Sequence, residues 1–137
     1  RPRLVAAQGH RFTDVSVRSP AMMEAGSVVN LASVRDLEAK LGVTVDPVRF
    51  RANFLIDGLD PWVELDWVDR PVSIGTVSCT GALRIRRCPA TEVNPLTAMR
   101  DIPVPAELKR HFGHVEMGVY LYIQSDGTVG RGDPIGF

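Results

Sequence analysis

The chain of 137 residues carries sixteen Lys and Arg against sixteen Asp and Glu, a formal net charge of zero, with 45% hydrophobic and 23% charged residues. A chain of this size and composition is expected to fold as one soluble domain around its own core, without disulfides or a structural metal. The charge balance removes the electrostatic case for nucleic acid or an anionic membrane as partner, and no apolar run approaches the roughly 20 residues of a membrane span.

No basic, apolar, small-residue leader marks secretion, so the expected compartment is the cytoplasm. The chain starts at Arg1 without a methionine and is read as a candidate piece of a longer protein. Residues 1–26 read as a lead-in of loop with room for one short strand, the expected remnant of an upstream domain, and residues 27–137 as the main domain. Ser27 to Leu31 leads into a helix: Ser33 is the expected N-cap, Val34, Leu37 and Leu41 make the apolar stripe, and Gly42 stops it. Asn30 and Ser33 either cap that helix or offer an anion amide and hydroxyl groups beside the free N–H groups of its first turn.

Val48 to Ile56 alternates as a strand does, with Phe50, Ala52, Phe54 and Ile56 on an apolar face and Arg49, Arg51 and Asn53 on the other. Donors of that kind suit phosphate or carboxylate. Asp57-Gly58 turns the chain, Asp60-Pro61 opens a short helix through Trp67, and two strands, Arg70 to Ile74 and Val77 to Arg87, meet at Gly75-Thr76. Gly81 inside the second strand signals a bulge or a close approach of another backbone. A long loop runs from Pro89 to Pro103, followed by a helix from Pro105 that Gly113 closes. Met117 to Gln124 is the next strand, and Asp126-Gly127 predicts a hairpin returning through Thr128 to Arg131, with Arg131-Gly132-Asp133 as the turn that ends it. Roughly six or seven strands and three short helices predict a mostly β, barrel-like domain with short helices packed outside.

The stretch with the most chemistry is Leu83 to Pro95, LRIRRCPATEVNP. As a strand it sets Arg84, Arg86 and Cys88 on one face and Leu83 and Ile85 on the other. Two fixed positive charges then share a face with one thiol, and a nearby cation favours the thiolate that attacks electrophiles and binds metals. Pro89 places the cysteine at the strand's end. Were this strand beside the one carrying Arg49 and Arg51, four arginines and a thiol would line one cavity. With a turn at Gly75-Thr76, Cys79 and Cys88 lie nine residues apart on one strand, about 30 Å at roughly 3.3 Å per residue. With a turn at Gly81, Cys79 sits near the turn and Cys88 at the other end of the ladder, and on either reading both are expected as free thiols with Cys79 in the core or a strand. His111 and His114 with Cys88 make a poor zinc set, because Gly113 breaks the helix between the imidazoles and no fourth ligand is indicated.

Five motifs, VDPVRFRANFLIDG at 45–58, WVELDWV at 62–68, RRCPATEVNP at 86–95, GHVEMGVY at 113–120 and GRGDPI at 130–135, together resemble the MOSC domain, the module named for the C-terminal part of molybdenum-cofactor sulfurase and shared by the amidoxime-reducing proteins. The resemblance implies a β-barrel-like fold that binds the molybdenum cofactor, a molybdopterin dithiolene bearing a phosphate. By the same resemblance Cys88 corresponds to the family cysteine, a molybdenum ligand in reductase members and a proposed persulfide carrier in sulfurase-type members. Arg51 and Asn53 match the family R-x-N motif that contacts the cofactor, and Thr91 and Asn94 match the threonine and the usual aspartate of the loop after the cysteine. Arg49, Arg86 and Arg87 complete the set of expected cofactor-binding residues. The N-terminal barrel that helps cover the cofactor in reductase members is expected to be absent or represented only by the first thirty residues.

Three functions follow: a molybdenum-dependent oxidoreductase acting at Cys88 on N- or S-oxygenated small molecules, a sulfur or cofactor carrier holding a Cys88 persulfide without independent turnover, or a domain that retains the fold alone. The first two imply an electron-donor or a sulfur-donor protein as partner. None implies a nucleic acid or a membrane.

Overall fold

In the computed structural model, Met22 and residues 24–137 are described; the expected lead-in strand lies outside them. The strands are β1 (Gly26–Asn30), β2 (Phe54–Ile56), β3 (Pro71–Ile74), β4 (Val77–Arg86), β5 (Glu116–Ile123) and β6 (Ile135–Gly136), and the helices are α1 (Leu31–Leu41) and α2 (Val104–Phe112). All six strands among the described residues join one sheet in the order β2-β1-β5-β4-β3-β6. β1 and β2 run parallel and every other neighbouring pair antiparallel. The sheet curls into a half barrel, the mostly β class that the turn and strand signals predicted.

Two cores follow from the period of two along β1. Val28 packs with Ile56, Trp67, Val72, Cys79 and Leu121, whereas its neighbour Val29 packs with Leu37, Phe50, Val104, Leu108 and Met117, the cluster that α1 and α2 close. A strand buried on both faces shows no polar alternation, which is why Gly26–Asn30 read as the approach to a helix. Asn30, extended at φ −84°, is the true N-cap: its side chain accepts from the Ala32 N–H at 3.0 Å. Ser33 is therefore inside α1 and does not cap it; its buried hydroxyl is spent on Glu64. Gly42 ends α1 as expected, in the left-handed region at φ 68° with its N–H on the Glu38 carbonyl.

The expected strand over 48–56 shrinks to its last three residues. Asp46 accepts from the Val48 N–H and Pro47 presets the next φ, so Pro47–Phe50 winds into a 3-10 turn, and Arg51 leaves it in the left-handed region at φ 51°. Arg49, Arg51 and Asn53 consequently do not share a strand face. The helix expected from Asp60 is a 3-10 turn over Val63–Trp67, preceded by a left-handed Trp62 at φ 69° and carrying no side-chain cap. The hairpin return over Thr128 to Arg131 does not form, because β5 already has β1 on one edge and β4 on the other. The chain wraps past the β3–β4 turn instead, with Thr76 N–H on the Thr128 carbonyl, and β6 pairs with β3.

Gly81 fulfils both readings of its position. The β4–β5 register shifts between Gly81 and Leu83, and a Cβ at Gly81 would collide with the Trp67 backbone carbonyl. Backbone on both sides leaves little room to relax, so Gly81→Ala is expected to cost about 2 kcal/mol of stability. Urea denaturation measures this, and an unchanged midpoint would show that the two backbones can separate.

Candidate functional site

β4 ends where its ladder ends. Arg87 N–H donates to the Val115 carbonyl at 2.9 Å, and then Pro89–Glu92 winds into a 3-10 turn in which the Cys88 carbonyl accepts from both the Thr91 N–H and the Thr91 hydroxyl. Thr91 is buried by this self-capping, and Cys88 is left exposed with a free thiol at the junction. Cys79, the other free cysteine, is in the core, where burial pushes its thiol pKa up.

The alternation along this strand holds: Arg84, Arg86 and Cys88 are exposed and Ile85 between them is buried. Both arginines carry acidic partners. Arg84 reaches Asp66 at 3.2 Å and the Leu65 carbonyl at 2.7 Å, and Arg86 lies 3.6 Å from Glu116. Arg87 turns the other way, half-buried. Its Nε and Nη2 donate to the Met117 carbonyl, its Nη1 donates to the Phe50 carbonyl at 3.0 Å, and its guanidinium stacks 5.1 Å from the centre of the Phe50 ring. Burial lowers the Arg87 pKa to about 10, so it stays charged at neutral pH.

The expected adjacency of two strands is corrected by the topology, since β1 and β5 stand between β2 and β4. The two segments meet end-on instead, through their turns. Besides the Arg87 bond to Phe50, the Arg49 guanidinium donates back to Asp101 at 2.7 Å and to the Glu92 carbonyl at 3.2 Å. Arg51, next in the chain after Phe50, is exposed, and its guanidinium has no partner among the described residues. Asn53 uses its Oδ1 to accept from the Ser27 N–H and hydroxyl, pinning the start of β2 to β1.

The loop expected between Pro89 and Pro103 is ordered by side chains. Asn94 accepts from the Leu96 and Thr97 N–H groups through Oδ1 and donates through Nδ2 to Asp101 at 2.7 Å, while Val93 pairs with Arg100. Arg49, and after it Asn94, holds the Asp101 carboxyl down at about 2. Asp101 carried no signal in the sequence, because nothing local marks a loop carboxylate as the partner of an arginine fifty residues away. Its presence explains why an amide stands at position 94: a second carboxylate would face the first. Asn94→Asp is expected to lower the melting temperature by a few degrees at pH 7, where both groups are ionised. The loss should vanish as acid protonates position 94, whose pKa the neighbouring charge raises. Thermal melts from pH 3 to 8 test this, and an equal deficit at every pH would reject charge repulsion.

A cleft of about 300 Å³ lined by Phe54, Ile74, Val77, Cys79 and Ile123 opens at the far end of β4, so it is separate from the thiol site. His111 pairs with Glu107 and His114 faces Glu116, and no group of three or more His, Cys, Asp or Glu residues suited to a metal ion occurs among the described residues. No helix among them is long and apolar enough to cross a membrane.

Fold and site define a half-barrel domain that presents one exposed cysteine at a strand end, among arginines from two turns. Residues 15–136 match the family model of the MOSC domain, and the chain belongs to that family, one associated with the molybdenum cofactor. Curated relatives include mitochondrial amidoxime-reducing component 1 of Mus musculus, 31% identical over 120 residues, and of Homo sapiens, 27% identical over 120 residues. Mitochondrial amidoxime reducing component 2 of Rattus norvegicus is 26% identical over the same length. Each alignment covers 79% of this chain and 35% of the relative, so the chain spans about a third of the length of the curated relatives it matches.

Proposed function

We propose that this domain binds the molybdenum cofactor, with Cys88 as the protein ligand to the metal, and takes part in the reduction of N- or S-oxygenated small molecules. The observation that carries this reading is the exposed Cys88 thiol one residue beyond Arg87, whose guanidinium is bonded to the residue preceding the unpartnered Arg51. The donor set fits the group: a reachable soft sulfur suits a molybdenum centre already bound by sulfur, and an uncommitted guanidinium fork suits a pterin phosphate. Arg51 is the phosphate contact, Arg86, paired with Glu116, shares the strand face of the thiol, and Asn53 offers its remaining amide donors. Thr91 and Asn94 shape the loop from below through the bonds described above. When bound, the cofactor would supply exchange of electron pairs and an oxygen atom with the substrate. The residues of this chain hold it, orient it and balance its charge.

The exposure of Cys88 also favours a second reading, a sulfur or cofactor carrier, since a persulfide has to be reached by a donor protein. The partners are then a small molecule and an electron donor in the first case, or a sulfur-donor protein in the second. Two free cysteines suit a reducing compartment, and the cytoplasm is the proposed one. Metal analysis of the anaerobically purified full-length protein separates the readings. Near-stoichiometric molybdenum, lost on Cys88→Ala, supports the first; one added sulfur atom on Cys88 after incubation with a cysteine desulfurase, without molybdenum, supports the second. Cofactor content unchanged in both Arg51→Ala and Cys88→Ala would place the site elsewhere.

A further inference from the structure

We infer that Arg49 and Arg87 are positioning residues, a pair of arginines reaching in opposite directions between the turn that bears Arg51 and the loop that bears Cys88, with Asp101 as the carboxylate that anchors Arg49. The inference deepens the reading of the Cys88 site given above and rests on it.

The reach is reciprocal. From the first segment, Arg49 crosses to the second, where Nη2 donates to Asp101 and Nη1 to the Glu92 carbonyl. From the second, Arg87 crosses to the first and donates to the Phe50 carbonyl. Three of the anchor points are one residue from a site residue: Phe50 precedes Arg51, Arg87 precedes Cys88, and Glu92 follows Thr91. No strand pairing joins these segments, so these side chains carry the register that a ladder would otherwise set.

Burial of Arg49 and the committed donors of Arg87 separate the two arginines from a ligand-facing role. The Arg49 side chain is 3% exposed, and its Nε is a buried donor with no partner. Its other two nitrogens are the engaged ones, on the Glu92 carbonyl and the Asp101 carboxylate. All three nitrogens of Arg87 are committed to backbone carbonyls. A planar fork is required, because a lysine offers one point of charge and cannot reach two acceptors at fixed angles. Asp101 holds three elements at once, accepting from Arg49 and Asn94 through its carboxylate while its N–H donates to the Glu92 carbonyl. The left-handed backbone of Arg51, which an arginine rarely adopts, is fixed between the Arg51 N–H bond to Val48 and the Arg87 bond to Phe50.

The test reads spacing directly in the full-length protein. Arg51→Cys provides a second exposed thiol, and a short bismaleimide reports how often it meets Cys88; Cys79 is buried and does not compete. Adding Asp101→Asn, or separately Arg49→Lys, is expected to slow the intramolecular cross-link about tenfold, as loss of a fixed approach geometry does. The rate at which a monofunctional maleimide labels Cys88 should stay unchanged, and Asp101→Glu should restore part of the cross-linking rate. An unchanged cross-link rate in both variants overturns the inference, and so does an equal fall in monofunctional labelling, which would mean lost access to the thiol. Neither readout needs cofactor, so absence of molybdenum from the native protein would sink the proposed function while leaving the clamp standing.

Discussion

Cys88→Ser is expected to reduce bound molybdenum by more than about a hundredfold while leaving the fold intact, a larger loss than the ten- to hundredfold typical of changes to groups that only support a ligand. The serine hydroxyl is hard and stays protonated at neutral pH, whereas the thiolate is the soft donor that molybdenum in a sulfur environment takes up. The side chain at position 88 is exposed and makes no bond that stabilises the 3-10 turn; the backbone carbonyl accepts from Thr91 whatever the side chain. The melting temperature should therefore shift little, by the equivalent of about 0.5 kcal/mol or less. Metal analysis beside a thermal melt checks both halves. Molybdenum retained by a folded serine variant would remove Cys88 from the coordination sphere.

Glu64 should produce the largest change in stability. It is fully buried on the 3-10 turn at Val63–Trp67, and its carboxylate accepts from the Ser33 hydroxyl at 2.9 Å and the Asn30 amide at 3.3 Å. Those two donors tie the 3-10 turn to the junction of β1 and α1. Glu64→Ala strands them in the core at roughly 1–3 kcal/mol for each unmet donor, for an expected loss of about 3 kcal/mol and a melting temperature lower by about 10 °C. Burial raises the Glu64 pKa above its ordinary value near 4.5, against the lowering effect of the Ser33 and Asn30 bonds. A folded-state pKa above the unfolded one means that the native state binds the proton more tightly. The contribution of this group is thus fully present below the unfolded pKa and is lost as pH rises through the folded value. Glu64→Gln, which cannot ionise, should gain on the natural protein as pH rises from 4 to 8. Denaturation midpoints that run parallel across that range would show that the carboxylate ionises without penalty.

Much of the candidate site was legible because it depends on neighbours in the chain. The common face of Arg84, Arg86 and Cys88 follows from a period of two, and the end of β4 from Pro89. The two Asp-Pro pairs show the limit of such reasoning. Asp60-Pro61 promised a capped helix and leads to an uncapped 3-10 turn, while Asp46-Pro47, hidden inside an apparent strand, is the pair that caps one. Both contain the same two residues. What differs is tertiary: the Asp60 carbonyl is taken by Asn30, and Phe50 is drawn into the core beneath α1 and α2.

Sequence by itself determined the stops at Gly42 and Gly113, the bulge at Gly81, and the family, because backbone freedom, alternation and motif order are properties of short stretches, whereas the exposure of the Cys88 thiol was left to the fold. Only the tertiary structure decided that β5 has no edge left for a hairpin partner, that β2 and β4 lie two strands apart, and that Arg49 and Arg87 face inward while Arg51 faces out. An arginine has the same charge wherever it stands. Whether it binds a ligand or spans two turns depends on which acceptors the folded chain brings within its reach, and Asp101 and the Phe50 carbonyl come within reach only once the sheet has curled.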